Sequence, residues 1–213
     1  MLWQRKRWLA SFPESGNVLD SLPEYLDRAT VRTACLDASR SPTAALDAFL
    51  VVMAWGYGKV GYGLWRTSRI LQENSHAPDR LARVAQHLAH RGALDAYGLL
   101  AGECQLHGLG PAFGTKYLYF CPQSADGPRA LIFDRLVAGW LAEHVDVRLN
   151  PAAWSPNTYR HYLELVSSWA DALGVACDEV EGCIFQAVQR GRKPMGPQER
   201  LTTQKRTWRT SPA

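Results

Sequence analysis

The stretch Leu106-His107-Gly108-Leu109-Gly110-Pro111-Ala112-Phe113-Gly114-Thr115-Lys116-Tyr117-Leu118-Tyr119-Phe120 decides how the rest of the chain is read. A helical pattern over residues 92–105 runs into it. Glycines and a proline then break the pattern, and an apolar, aromatic-rich segment resumes it. This predicts two helices joined by a short glycine turn, the second opening near Ala112 or Thr115. Such a turn has no side chains in the way of its backbone, and the first N–H groups of a helix have no partner within the helix. Together with the helix dipole they suit a phosphate oxygen. A glycine turn between two helices is also ordinary architecture, so the stretch alone leaves both readings open.

Outward from this hairpin, helix signals dominate. Ser41-Pro42-Thr43 supplies an N-cap and a first-turn proline for a helix over residues 44–55. Residues 62–71 form a second, with Leu64, Trp65, Ser68 and Leu71 on one stripe and Arg66 and Arg69 on another. Ala77-Pro78-Asp79 opens a third, in which Leu81, Val84, Ala85 and Leu88 recur at helical spacing. Residues 134–144, 159–173 and, past a Gly174 stop, 177–188 follow. Only residues 129–133 (RALIF) read as extended, and they are few. The expected fold is all-α: one helical domain over residues 1–189 and a basic tail over residues 190–213.

Composition narrows the function classes. With 213 residues, 46% of them hydrophobic, the chain can bury a core, which excludes wholesale disorder. The longest apolar run, residues 48–55, falls far short of the roughly 20 residues that span a bilayer and reads as core. The first residues, MLWQRKRWLASF, carry basic groups with no apolar stretch behind them, unlike a secretory signal. The expected location is the cytoplasm, with no membrane partner. Five scattered cysteines (Cys35, Cys104, Cys121, Cys177, Cys183) offer neither an even disulfide framework nor the paired spacing of a zinc site, so free thiols and no metal are expected. His107 reads as a turn residue, and His144 and His161 have no ligand spacing. The net charge of +4 is uneven. Seven basic groups and one acid in residues 190–213 place +6 there and leave residues 1–189 at −2. A basic tail carrying Trp208 suits phosphates, or is simply a solvated end.

A second glycine motif, Gly56-Tyr57-Gly58-Lys59-Val60-Gly61, fits the G-x-G-x-x-G of dinucleotide-binding loops. Those loops follow a strand and open a helix. Here residues 44–55 read as a helix with no β-α-β pattern around them. A tight interhelical connection is the favoured reading, and a protein that binds a free nucleotide through this loop is the lesser alternative.

Lys116 lies just inside the second helix of the hairpin, and Asp134 follows 18 residues later, after the extended segment and at the start of another helix. In this the chain resembles the helix–hairpin–helix DNA glycosylase superfamily, in its 8-oxoguanine glycosylase branch and in prokaryotic form. That signature is L-P-G-V-G-x-K followed, slightly less than twenty residues on, by V-P-V-D-x-H/R. Pro111-Ala112-Phe113-Gly114-Thr115-Lys116 matches its P-G-V-G-T-K with Ala112 at the first glycine, and residues 131–137 match its aspartate segment with Ile132 at the proline and Leu136 at the His/Arg position. A second register pairs Gly108 with Gly110 and drops Ala112 onto the lysine position. The first is preferred because it retains both G-T-K and the Lys–Asp spacing. The four-cysteine iron–sulfur signature of other branches is absent from the sequence.

The resemblance implies a site and a chemistry. Lys116 and Asp134 take the catalytic positions. Gly108, Gly110, Gly114 and Thr115 are expected to hold the DNA backbone, and Arg66 and Arg69 to add phosphate contacts whose strength falls with salt. Phe120 stands where some members place a cysteine against the flipped base, with Cys121 beside it, so these two are the expected base pocket. No cofactor is implied as required, although a monovalent cation on the hairpin carbonyls is implied as an aid. The implied partner is double-stranded DNA, and the implied activity is excision of a modified purine by lysine attack, in the manner of base excision repair. The alternative is a non-catalytic helix–hairpin–helix DNA-binding protein. Prokaryotic chains of this type also resemble proteins of phage-defence clusters, which would bring in a modified base or a protein partner.

Overall fold

A computed structural model describes residues 1–125 and 127–192, and the main part of the basic tail, Trp208 included, lies outside the described residues. The described chain is built from helices joined by turns and irregular segments, with one isolated β-bridge between Leu2 and Tyr25. Three short helices open it: α1 (Arg5–Ser11), α2 (Gly16–Ser21) and α3 (Arg28–Ala34). The longer ones follow as α4 (Pro42–Tyr57), α5 (Tyr62–Glu73), α6 (Ala77–Arg91), α7 (Ala93–Ala101), α8 (Pro111–Phe120), α9 (Arg135–His144), α10 (Pro156–Leu173) and α11 (Cys177–Arg192). None of them is long and apolar enough to cross a membrane.

Local chemistry sets most of the boundaries. The Ser41 hydroxyl accepts from the Ala44 N–H, and Pro42 fills the first helical position, whose N–H would have no partner anyway. Asp27 caps α3 through Thr30, and Ser155 caps α10 through Thr158. Gly174, at φ 66°, ends α10 in the left-handed conformation that glycine adopts without a Cβ clash.

α4 and α8 form the centre. Residues 48–54 of α4 are buried without interruption, and α8 is buried over Gly114 to Phe120. Helices apolar on every side must be covered on every side. α4 packs on α6, α8 and α5, while α7 closes over α6 and α8. In α6 the predicted stripe of Leu81, Val84, Ala85 and Leu88 is buried as expected.

Four boundaries or faces differ from the sequence reading. The three N-terminal helices were not anticipated, because segments of six or seven residues show too few turns for a period to register. α5 buries Gly63, Thr67 and Ile70, leaving Trp65 exposed, since the core lies about one residue round the helix from the predicted stripe. α7 stops at Ala101, where the Cys104 N–H turns back to the Leu99 carbonyl. α11 continues through Arg192, so the first residues assigned to the tail are helical.

Candidate active site

Lys116 is placed by a helix that cannot shift freely. The hydroxyl of Tyr117, the next residue of α8, donates to the Leu81 carbonyl at 3.2 Å. The Phe113 ring stacks on Tyr57 with centroids 4.3 Å apart, in the space left by Gly56, where an added Cβ would come within 2.5 Å of that ring. Arg28 of α3 bonds the Tyr119 hydroxyl at 3.3 Å and grips the fully buried Glu181 of α11 through two bonds of 2.6 and 3.1 Å. Burial pushes the Glu181 carboxyl up, and the Arg28 guanidinium opposes that push.

Asp134 is delivered by the extended segment, residues 129–133. Among the described residues this segment has no strand partner, yet it is buried from Ala130 to Phe133 and its backbone groups must be satisfied. Side chains do this. Gln123 accepts from the Ala130 N–H at 2.7 Å, and the Tyr159 hydroxyl bridges both the N–H and the carbonyl of Leu131, at 3.1 and 2.9 Å. Tyr162 donates to the Ile132 carbonyl at 3.0 Å, and the Thr115 hydroxyl accepts from the Phe133 N–H at 3.0 Å. One residue later Asp134 caps α9, one oxygen accepting from the Leu136 and Val137 N–H groups at 3.0 and 3.3 Å.

The other oxygen faces Lys116. Nζ lies 2.8 Å from Asp134 Oδ2 and 3.3 Å from the Ala112 carbonyl, and 5.4 Å from the centre of the Phe113 ring. Only 11% of the lysine side chain and 15% of the aspartate are exposed. Burial raises the Asp134 carboxyl, but the Lys116 charge and hydrogen bond and the two cap N–H groups outweigh it and hold it below its usual value. A carboxylate and an amine thus sit in direct contact beside a helix N-terminus and a glycine turn.

The turn follows the second register. Gly108 has φ 83°, and Gly110 lies just outside the helix as the N-cap of α8, so these are the paired glycines. Lys116 nevertheless meets Asp134, because from Pro111 to Lys116 the chain is already helical and carries the lysine one turn further along the same face. The preferred alignment therefore names the two side chains that are in contact, but it misplaces the turn. Gly114 is consequently inside the helix. Its N–H donates to the Gly110 carbonyl at 3.0 Å, and the Trp154 ring fills the space beside its Cα. Thr115 is 0% exposed and bound to the Phe133 segment. Neither offers surface to a phosphate, whereas Gly108 and Gly110 do.

The other predicted residues separate. Arg69 is exposed, lies over the Trp65 ring and is paired with Glu73 at 2.6 Å, so its charge is already balanced. Arg66 reaches the hairpin and donates to the Gly108 carbonyl at 2.7 Å. Phe120 and Cys121 are 1% and 3% exposed, the former edge-on to Trp55 at 4.8 Å. They belong to the core on the inner side of α8, and burial pushes the Cys121 thiol well up. The Gly56–Gly61 motif begins in the last two residues of the helix α4, ends at the N-cap of α5 and has no sheet beside it among the described residues, which removes the ground for a nucleotide loop.

The implied alkali cation does not fit the hairpin carbonyls. Each from Gln105 to Gly110 already accepts from the protein: Gln105 from Arg80 at 2.8 Å, Leu106 from the Leu109 N–H at 3.0 Å and His107 from Asn74 at 3.0 Å. Gly108 accepts from Arg66, Leu109 from Trp154 Nε1 at 3.3 Å, and Gly110 from the Phe113 and Gly114 N–H groups. A second unit charge about 4 Å from the guanidinium would be repelled by about 4 kcal/mol at the effective dielectric of a protein surface.

Sequence reasoning missed Tyr159, Tyr162, Gln123 and Asn74. The tyrosines stand three apart on the buried stripe of α10, and a polar-tipped ring there needs a partner, which is a readable signal. Gln123 carries no such signal.

Fold and site together define an all-α helix–hairpin–helix protein with a lysine–aspartate pair set behind the hairpin. The family model described as "Putative 8-oxoguanine DNA glycosylase OGG-like protein" matches residues 1–185, and the chain belongs to that family. Its all-helical architecture is consistent with the glycosylase fold of that family. No curated protein and no solved structure matches the chain.

Proposed function

We propose that this protein is a DNA glycosylase with lyase activity that excises a modified purine such as 8-oxoguanine from double-stranded DNA. The observation that carries the reading is the shielded contact of Lys116 Nζ with Asp134 at 2.8 Å, in a chain of this family. A base within a duplex is out of reach, so its nucleotide is flipped out first. Lys116 then loses a proton to Asp134 Oδ2 and attacks the sugar C1′ as a neutral amine. The N–C1′ bond forms as the bond from C1′ to the purine breaks, and the departing base takes the proton. As the C1′–O4′ bond opens, a proton passes from the attached nitrogen to O4′ and leaves a Schiff base on Lys116, from which loss of a C2′ proton together with the 3′ phosphate cuts the strand by β-elimination. Asp134, again ionised, stabilises the positive charge on the sugar.

One observation favours a second reading, a hairpin protein that holds DNA without excising a base: Phe120 and Cys121 are sealed in the core rather than lining a pocket. Borohydride trapping on a duplex with 8-oxoguanine opposite cytosine decides between them. The glycosylase gives a covalent adduct that disappears in Lys116→Ala. Salt-sensitive binding with no adduct, there or on an abasic-site duplex, establishes the second reading.

A further inference from the structure

Arg66 was expected to be one of several surface cations meeting phosphates, and the structure gives it a different position. It projects from α5 across to the hairpin, 42 residues away in sequence, where Nη2 donates to the Gly108 carbonyl at 2.7 Å and Nη1 to the Tyr62 hydroxyl at 3.3 Å. Gly108 is the glycine whose φ of 83° makes the turn, and its carbonyl sits at the apex. The flanking carbonyls are turned to other donors, Asn74 holding both the N–H and the carbonyl of His107, at 2.9 and 3.0 Å. Asn74 is itself buried at the end of α5.

We propose that the Arg66 guanidinium is the built-in cation of this hairpin: it holds the turn in shape and supplies its positive charge, in place of a bound alkali ion. Three features lead there. The charge sits on the apical carbonyl at a distance proper to a charge-assisted hydrogen bond. Each remaining carbonyl of the turn already accepts a hydrogen bond from the protein, so an ion there would compete with those donors beside a fixed positive charge. Unlike Arg69, which Glu73 neutralises, Arg66 has no carboxylate partner among the described residues. Two of its five N–H groups are used in this way, and a phosphate lying on the hairpin takes its bonds from the others. Arg66 is thus a positioning residue for the backbone contact, and this role rests on the DNA-binding part of the function proposed above.

The test has an arm without DNA. Thermal midpoints are measured in potassium, sodium and tetramethylammonium chloride at one ionic strength, for wild type, Arg66→Gln, Arg66→Lys and the control Arg69→Gln. The expected wild-type midpoint is the same in all three salts, while Arg66→Gln is less stable in tetramethylammonium and regains stability in potassium. A wild type that potassium stabilises over tetramethylammonium overturns the proposal, because the hairpin then holds an alkali ion of its own. In the second arm the affinity for a duplex is measured in the same salts. Arg66→Gln is expected to bind about tenfold more weakly or worse, the effect of losing one charge-assisted hydrogen bond, with Arg66→Lys intermediate and Arg69→Gln nearly unchanged. Equal losses in Arg66→Gln and Arg69→Gln overturn it. A wild type that binds no duplex defeats the glycosylase reading, and the first arm still decides the role of Arg66.

Discussion

Asp134→Ala and Lys116→Met, singly and combined, probe an asymmetry in how the two charges are held. The carboxylate has three donors: Lys116 Nζ and the N–H groups of Leu136 and Val137. The ammonium has the carboxylate and one weaker bond to the Ala112 carbonyl. Removing the carboxylate therefore strands a shielded cation, a loss of about 3–5 kcal/mol. Removing the ammonium leaves an anion with two N–H donors at a helix N-terminus, a loss of about 1–3 kcal/mol. The double variant has no stranded charge and lacks chiefly the cap, a loss of about 1 kcal/mol. For a domain of this size 1 kcal/mol moves the thermal midpoint by about 2–4 °C. Asp134→Ala should then lower it by roughly 6–20 °C, and adding Lys116→Met should raise it again. Calorimetry near neutral pH, with far-ultraviolet circular dichroism to follow the helices, reads both. A double variant no more stable than Asp134→Ala refutes the assignment of the lysine as an ammonium held by that carboxylate.

The depressed Asp134 carboxyl makes a pH prediction of definite sign. Its stabilisation is complete above the ordinary carboxylate value of 3.8 and is lost as pH falls through the lower value of the folded state. Asp134→Asn keeps the cap and removes the charge, so the gap in unfolding free energy between wild type and variant should close on acidification; a gap that stays constant refutes it. Thr115→Val removes the partner of the buried Phe133 N–H, a loss of about 1–3 kcal/mol. By loosening the segment that carries Asp134, it should reduce borohydride trapping more than duplex affinity, and Thr115→Ser should restore both; equal losses contradict the positioning role. Gly114→Ala sets a Cβ 2.3 Å from the Trp154 ring. Overpacking of about 1–3 kcal/mol against a helix-propensity gain of about 1 kcal/mol gives a net loss of up to about 2 kcal/mol. Tryptophan emission should shift as Trp154 leaves the Leu109 carbonyl, and unchanged emission would remove Trp154 as the reason for the glycine.

What could be read in the sequence is what depends on neighbours along the chain. The period of Leu81, Val84, Ala85 and Leu88 gives α6, and the Ser41-Pro42 start gives α4. The glycine turn before an apolar segment gives the hairpin, because capping and helical periodicity act over a few residues. The spacing of Lys116 and Asp134 was legible too, since an extended run of five residues returns the chain to the helix it left. What only the tertiary structure decided depends on groups far apart in sequence. Periodicity says which residues share a face but not which face the core will meet, so Trp65 came out exposed and Phe120 buried. Both registers of the hairpin satisfy the local pattern, and the φ of Gly108, with Ile70 3.1 Å from where its Cβ would lie, selects one of them. The residues that hold the site, Tyr159, Tyr162 and Thr115 on the extended segment and Arg66 on the turn, act through one or two hydrogen bonds each, spanning 18 to 42 residues. Such bonds form only where packing has already brought the two partners together, and no local pattern in the sequence specifies that.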